Sequence, residues 1–211
     1  MKVIGIITAR GGSKSIHKKN IADLAGKPIL AYSVDTALKS GLTDVILSTD
    51  DEEIAEVGRI YGVKVPFMRP AELAGDDVKH VPVLIHALQE YEKITGQTYD
   101  YILTIQPTSP FRAVEDIDTA IEIARKNRPD CVVSLEKFTD LSLEKVKYLN
   151  EGGLVESAFQ DEKNLEGLPR QSRRALYRRN GAIYLTKREI LLNGSVYGEK
   201  ILGFEMPPER S

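Results

Sequence analysis

Val3-Ile4-Gly5-Ile6-Ile7-Thr8-Ala9-Arg10-Gly11-Gly12-Ser13-Lys14 begins as a nearly continuous apolar run and turns basic and glycine-rich at Arg10. A run that is apolar at every position, and not at every second one, marks a strand buried on both faces, as in a parallel sheet. The same pattern recurs downstream. Val45-Ile46-Leu47, Tyr101–Ile105 and Cys131–Leu135 read as buried strands, and Val63–Phe67 as a short one. Helical spacing fills the intervals: Leu30, Val34, Ala37 and Leu38; then Val81, Leu84, Ile85, Leu88 and Tyr91; then Val114, Ile117, Ile121 and Ala124. Residues 51–61 read as a helix with acids in its first turn, which suits the helix dipole. Strands alternating with helices over residues 1–136 predict an α/β fold, an open and mostly parallel sheet with helices on both faces. After Glu136 the rhythm loosens. Residues 137–180 read as an excursion from the sheet, a protruding arm, and Ala182-Ile183-Tyr184-Leu185 as a return strand. The 211 residues are expected to form one domain with that arm.

Composition narrows the function. Lysine plus arginine is 29 and aspartate plus glutamate is 31, a formal charge of −2, which argues against a general nucleic-acid binder but leaves room for a local anion pocket. The lone Cys131 excludes an internal disulfide and any multi-cysteine metal site, and its apolar neighbours predict a buried structural thiol. No stretch approaches the roughly 20 apolar residues of a membrane helix, and the first residues read as a strand, not as a signal peptide. The expectation is a cytoplasmic protein.

In open α/β sheets ligands bind outside the carboxyl ends of the strands, so the loops there carry the chemistry. Residues 9–20 supply two glycines with bare N–H groups, and Arg10, Lys14, Lys18 and Lys19 with no acid until Asp23, a cradle for phosphates. The P-loop and dinucleotide fingerprints are both absent. Arg69-Pro70-Ala71-Glu72-Leu73-Ala74 alone would pass for a turn. Gln106-Pro107-Thr108-Ser109-Pro110-Phe111-Arg112 is a polar loop stiffened by two prolines at a strand end. Residues 170–188 hold Arg170, Arg173, Arg174, Arg178, Arg179, Lys187 and Arg188 without an acid. Arginine suits bidentate recognition of carboxylate and phosphate. His17, His80 and His86 have no metal-ligand spacing. With no nucleophile signature, the basic loops point to phosphate chemistry by positioning and charge stabilisation.

Taken in order, Ala9–Lys14, Lys19-Asn20, Ser48-Thr49-Asp50, Arg69–Ala74, Gln106–Pro110 and Arg178-Arg179-Asn180-Gly181-Ala182-Ile183-Tyr184 resemble the acylneuraminate cytidylyltransferases, over residues 3–211. The resemblance implies a nucleotide-binding sheet and a nucleotidyltransferase reaction. CTP and an acidic nonulosonic sugar give the CMP-sugar and pyrophosphate, with Mg²⁺ as cofactor and a homodimer as the working form. It implies that Arg10, Gly11, Lys14, Lys19 and Asn20 hold the triphosphate, with Arg10 and Lys19 helping the pyrophosphate leave. Ser48 and Arg69 would seat the cytidine, and Gln106, Thr108 and Ser109 would line the junction of nucleotide and sugar. Arg178 would meet the sugar carboxylate, in the other protomer's site, with Asn180 and Tyr184 shaping that pocket. The dimer would form through the 137–180 arm. His17 stands where the related pattern has proline. The related pattern also continues past Pro208–Ser211 into an Asp-x-Asp metal motif and a helix; these are expected to be missing, so no metal ligand is assigned. The competing readings are a cytidylyltransferase for another acidic sugar, such as 3-deoxy-manno-octulosonate, and a catalytically silent nucleotide-binding protein.

Overall fold

The computed structural model describes residues 1–12, 16, 18–138, 145–159 and 175–211. The elements in chain order are β1 (Val3–Thr8), β2 (Asp23–Leu24), β3 (Lys27–Pro28), α1 (Ile29–Lys39), β4 (Asp44–Ser48), α2 (Glu52–Ile60), α3 (His80–Thr95), β5 (Tyr101–Ile105), α4 (Val114–Asn127), β6 (Cys131–Lys137), β7 (Lys147–Leu149), β8 (Val155–Ser157), β9 (Tyr177–Lys187), α5 (Arg188–Leu192) and β10 (Ile201–Glu205). Six strands form the central sheet in the order β10-β6-β9-β5-β1-β4. β1 runs parallel to β4 and β5, and β10 parallel to β6, while β9 runs antiparallel between β5 and β6. The fold is the expected α/β sheet with helices on both faces.

Alternation of side chains along each strand divides the core in two. Val3, Ile7, Val45, Leu47, Leu103, Ile105, Val132 and Leu185 face α1, α2 and α4. Ile4, Ile6, Ile46 and Ile102 face α3, and Leu191 of α5 packs into the same cluster. Local chemistry sets the helix ends. The Asp51 carboxylate accepts from the backbone N–H of Glu53 and Ile54, capping α2, and Gly96 ends α3 in the left-handed region at φ 67°. Leu30, Val34 and Ala37 are buried along α1, whereas Leu38 turns outward. Cys131 is buried as expected, and burial pushes its thiol up to about 11.

Two readings need correction. Residues 63–67 form no strand. They make one parallel bridge, Ile46 to Lys64, because Pro66 has no N–H to extend the ladder. The return strand starts at Tyr177, so 177–180 belong to the sheet. Its register breaks, with Arg179 opposite Leu135 but Tyr184 opposite Val133. The small hairpin β2–β3, α5 and the edge strand β10 are additions. Within the expected arm, β7 and β8 pair in a separate antiparallel hairpin with all six residues exposed. The remaining arm residues, 139–144 and 160–174, lie outside the described residues. No helix among the described residues is long and apolar enough to cross a membrane.

Candidate active site

A cleft of about 390 Å³ opens at the carboxyl ends of β1 and β5, and Thr8, Arg10, Lys19, Asn20, Arg69, His80, Gln106 and Thr108 line it. The loop after β1 is anchored at both ends. Asn20, buried, donates from Nδ2 to the Arg10 carbonyl at 3.0 Å. The Gly11 N–H donates to Asp50 Oδ1 at 3.2 Å, and a Cβ at Gly11 would come within 2.5 Å of Asp51 Oδ2. Only glycine lets the loop pass this close to the helix cap. Arg10 leans across the cleft to Asp76 (2.8 Å) and to the Gly75 carbonyl (3.2 Å). Lys18 is neutralised by Glu53, while Lys19 lines the cleft with no ion pair among the described residues. Lys14 and His17 lie outside the described residues.

Arg69 forms the floor. It is buried, with Nε 3.1 Å from Ser48 Oγ and Nη2 2.5 Å from the Ser48 carbonyl. Its own N–H donates to the Thr49 carbonyl. Burial pushes the guanidinium's pKa down, Asp50 raises it, and Arg10 lowers it. Ser48 itself is fully buried and lies beneath Arg69, outside the cleft lining. His80, the first residue of α3, places Nε2 2.9 Å from Thr8 Oγ1. Burial and then Arg69 push the imidazole down, so it is neutral at pH 7.

The loop after β5 hangs on Arg112. This arginine is 3% exposed and has no ion-pair partner among the described residues. Its donors reach the carbonyls of Ala182 (2.6 Å) and Gln106 (3.0 Å), and Ser33 Oγ at 3.4 Å. Burial lowers it to about 10 against the pull of Asp116. Gln106 and Thr108 reach the cleft, but Ser109 does not line it; its N–H closes a turn onto the Gln106 carbonyl.

The β9 candidates stand apart from this cleft. Arg178 is paired with Glu136 at 2.6 Å. The Asn180 side chain accepts from Ser134 Oγ and the Ala182 N–H and donates to Ser211 Oγ. The Tyr184 ring meets Tyr197 edge-on at 6.1 Å. Thus Arg10, Lys19, Asn20, Arg69, Gln106 and Thr108 come together, whereas Ser48, Ser109, Arg178, Asn180 and Tyr184 do not line the cleft. Thr8, Asp76 and His80 join the lining without having been singled out. The strand-end rule covers Thr8, but no sequence signal marks His80, because its partner lies 72 residues away. A second cavity, about 460 Å³, opens at the amino ends of β1 and β5. Of its cations, Lys187 and Arg188 are paired with Glu189 and Glu92, and Arg128 has no ion pair among the described residues.

Among the described residues no group of three or more His, Cys, Asp or Glu could hold a metal ion. At the cleft, Asp76 faces Arg10 and Asp50 faces the Gly11 N–H. The described residues thus hold no all-protein cage for a metal, so no ligand is assigned to the expected Mg²⁺ and no step below is routed through it.

Three cations and a fan of amide and hydroxyl donors at strand ends have the chemistry that a polyphosphate requires. Known proteins agree with that reading. Pseudaminic acid cytidylyltransferase of Campylobacter jejuni is 36% identical over 185 residues, 87% of this chain and 78% of its own length. CMP-N,N'-diacetyllegionaminic acid synthase of Legionella pneumophila is 34% identical over 206 residues, 94% of this chain and 84% of its own. Among solved structures, a CMP:2-keto-3-deoxy-manno-octonic acid synthetase complexed with CTP shares the fold at a TM-score of 0.71 and 19% identity, covering 98% of this chain and 90% of that one. The family described as cytidylyltransferase matches residues 4–208, from β1 through β10 and with the whole cleft inside the match, so this chain belongs to the cytidylyltransferases.

Proposed function

We propose that the protein activates an acidic nonulosonic sugar with CTP, releasing pyrophosphate. A sugar hydroxyl attacks the α-phosphorus in line. The bond from that phosphorus to the bridging oxygen breaks, pyrophosphate leaves, and the hydroxyl proton passes to solvent. The single observation that carries this reading is the convergence of Arg10, Lys19 and Arg69 with Asn20, Gln106 and Thr108 in one cleft. Arg10 and Lys19 are placed to balance the charge that grows on departing pyrophosphate, which is where electrostatic catalysis acts. Arg69, held by Ser48, gives a rigid floor for the nucleoside, so Ser48 acts through Arg69. The loop from Gln106 to Thr108 lies where nucleotide and sugar would meet.

The relatives' names, pseudaminic and legionaminic, support a nonulosonate and leave the acylneuraminate itself as one member of the test panel. Mg²⁺ is proposed as the metal that accompanies CTP. The reaction is placed in the cytoplasm, where its nucleotide is found. The hairpin β7–β8 exposes Tyr148, Leu149, Leu154 and Val155, which supports its use as a dimer arm. The deciding experiment is pyrophosphate release with CTP, UTP or ATP, Mg²⁺ and a panel of eight- and nine-carbon acidic sugars. Release with CTP and a nonulosonic acid is expected. Release only with the eight-carbon acid, or equally with ATP, would replace this reading.

A further inference from the structure

β9 begins with two adjacent arginines, and the sheet sends them to opposite faces. Arg178 lies opposite Glu136, which neutralises it, and its guanidinium is 5.6 Å from the Phe138 ring. Arg179 lies opposite Leu135, on the other face. Its guanidinium stands 4.4 Å from the centre of the Tyr197 ring, and it has no carboxylate partner among the described residues.

The face that Arg179 shares is the one that leads to the cleft. Tyr197 packs edge-on against Tyr184. Tyr184 lies directly opposite Thr104 of β5, and Thr104 opposite Ile6 of β1. Ile6 belongs to the α3 side of the core, and two residues further along the same face Thr8 meets His80 of α3 in the cleft. Two residues beyond Thr104, Gln106 lines the same cleft. A continuous strip therefore runs from the cleft across Thr104 and Tyr184 to Tyr197 and Arg179. The Thr104 hydroxyl on this strip is buried and has no hydrogen-bond partner among the described residues. A polar group left this way is costly unless something else satisfies it.

We propose that Arg179, and not Arg178, receives the carboxylate of the acidic sugar, in the same chain whose cleft holds the triphosphate. The inference rests on the acidic-sugar reading above. An aromatic face orients a guanidinium while leaving its N–H edge open, and that edge matches a carboxylate bidentately. At Arg178 an incoming carboxylate would have to displace Glu136 and remain beside its charge.

The test compares steady-state kinetics of Arg179→Gln, Arg179→Lys and Arg178→Gln on whichever acid the wild type uses best. Arg179→Gln should raise the sugar KM at least tenfold and leave the CTP KM within about twofold. Arg179→Lys should fall between it and wild type, because an ammonium keeps the charge and loses the fork. Arg178→Gln should leave both constants near wild type. Both arginines are exposed, and circular dichroism checks that each variant is folded. A sugar effect at Arg178 with none at Arg179 overturns the proposal, as does an equal rise in the CTP KM of Arg179→Gln. Wild type that binds CTP but turns over no acidic sugar removes the functional reading itself, and this assignment with it.

Discussion

Arg69 and His80 sit side by side beneath the cleft, and burial pushes both toward their neutral forms, but only His80 titrates near neutral pH. With its folded pKa below the unfolded value, the unfolded chain takes up the proton first as pH falls. The stability held by neutral His80 is full above about pH 6.5 and is lost as pH drops through that value toward the folded pKa. Melting temperature should therefore fall between pH 8 and pH 5.5, and His80→Gln should flatten that slope; an unchanged slope would count against it. Asp44 works in a separate, more acidic window. Burial pushes it up, but hydrogen bonds from Lys64, Tyr99 and Tyr91 outweigh burial and hold it below the usual carboxylate value. Its contribution is present above about pH 4 and is lost below it. Lys19 differs from both, being a cleft cation with no ion-pair partner among the described residues. Lys19→Ala should lower turnover by the roughly 2.7–4 kcal/mol typical of a lost transition-state contact, a fall of about 10²–10³ in kcat. Sugar KM should change little; pyrophosphate release under CTP saturation measures both.

Among the elements, the loop after β5 shows what a buried charge can be kept for. Arg112 makes no ion pair among the described residues and spends its donors on two backbone carbonyls and a serine. Burying an ion is costly, so removing the charge offsets part of the roughly 1–3 kcal/mol that each buried acceptor left without its donor would cost. Arg112→Met should therefore melt below wild type but still fold, and lose at least tenfold in kcat, because the Gln106 carbonyl and β9 are no longer tied. A melt and a turnover measurement on the same sample decide it: full activity, or collapse of the fold, counts against the positioning role. The elements that sequence reveals are those whose burial is complete. β1, β4, β5 and β6 are near-continuous apolar runs because both faces are covered. β10 shows only alternating partial burial, and α5 has five residues, too few to display a helical period. In the site, Arg10, Lys19 and Gln106 were legible because cations and amides at strand ends are a local pattern, whereas Asn20 and Arg69 gained a role only through the family resemblance. His80 and the clamp of Arg112 were not, since each depends on a partner distant in sequence, Thr8 or Ala182.

At the scale of the molecule, the hairpin β7–β8 packs into neither core cluster, yet it carries Leu149 and Val155, 73% and 65% exposed. Apolar side chains grouped on a projecting element are suited to a second copy of the chain. Leu149→Lys with Val155→Lys should convert a dimer into a folded monomer, as read by sedimentation; a monomeric wild type at micromolar concentration would end the arm proposal. The central sheet also has an unusual order of completion. β9 is wedged between β5 and β6, and β6 touches only β9 and β10 within the sheet. As the polypeptide emerges from the ribosome, Tyr101–Ile105 waits with one bare edge and Cys131–Lys137 with two until Tyr177–Lys187 is synthesised. Strand pairs this far apart in sequence close slowly, and bare edges of apolar strands recruit one another. The nascent protein therefore passes through a long aggregation-prone interval, during which it is a natural client for chaperones, and synonymous codons that delay the stretch from Lys137 to Tyr177 would lengthen that exposure.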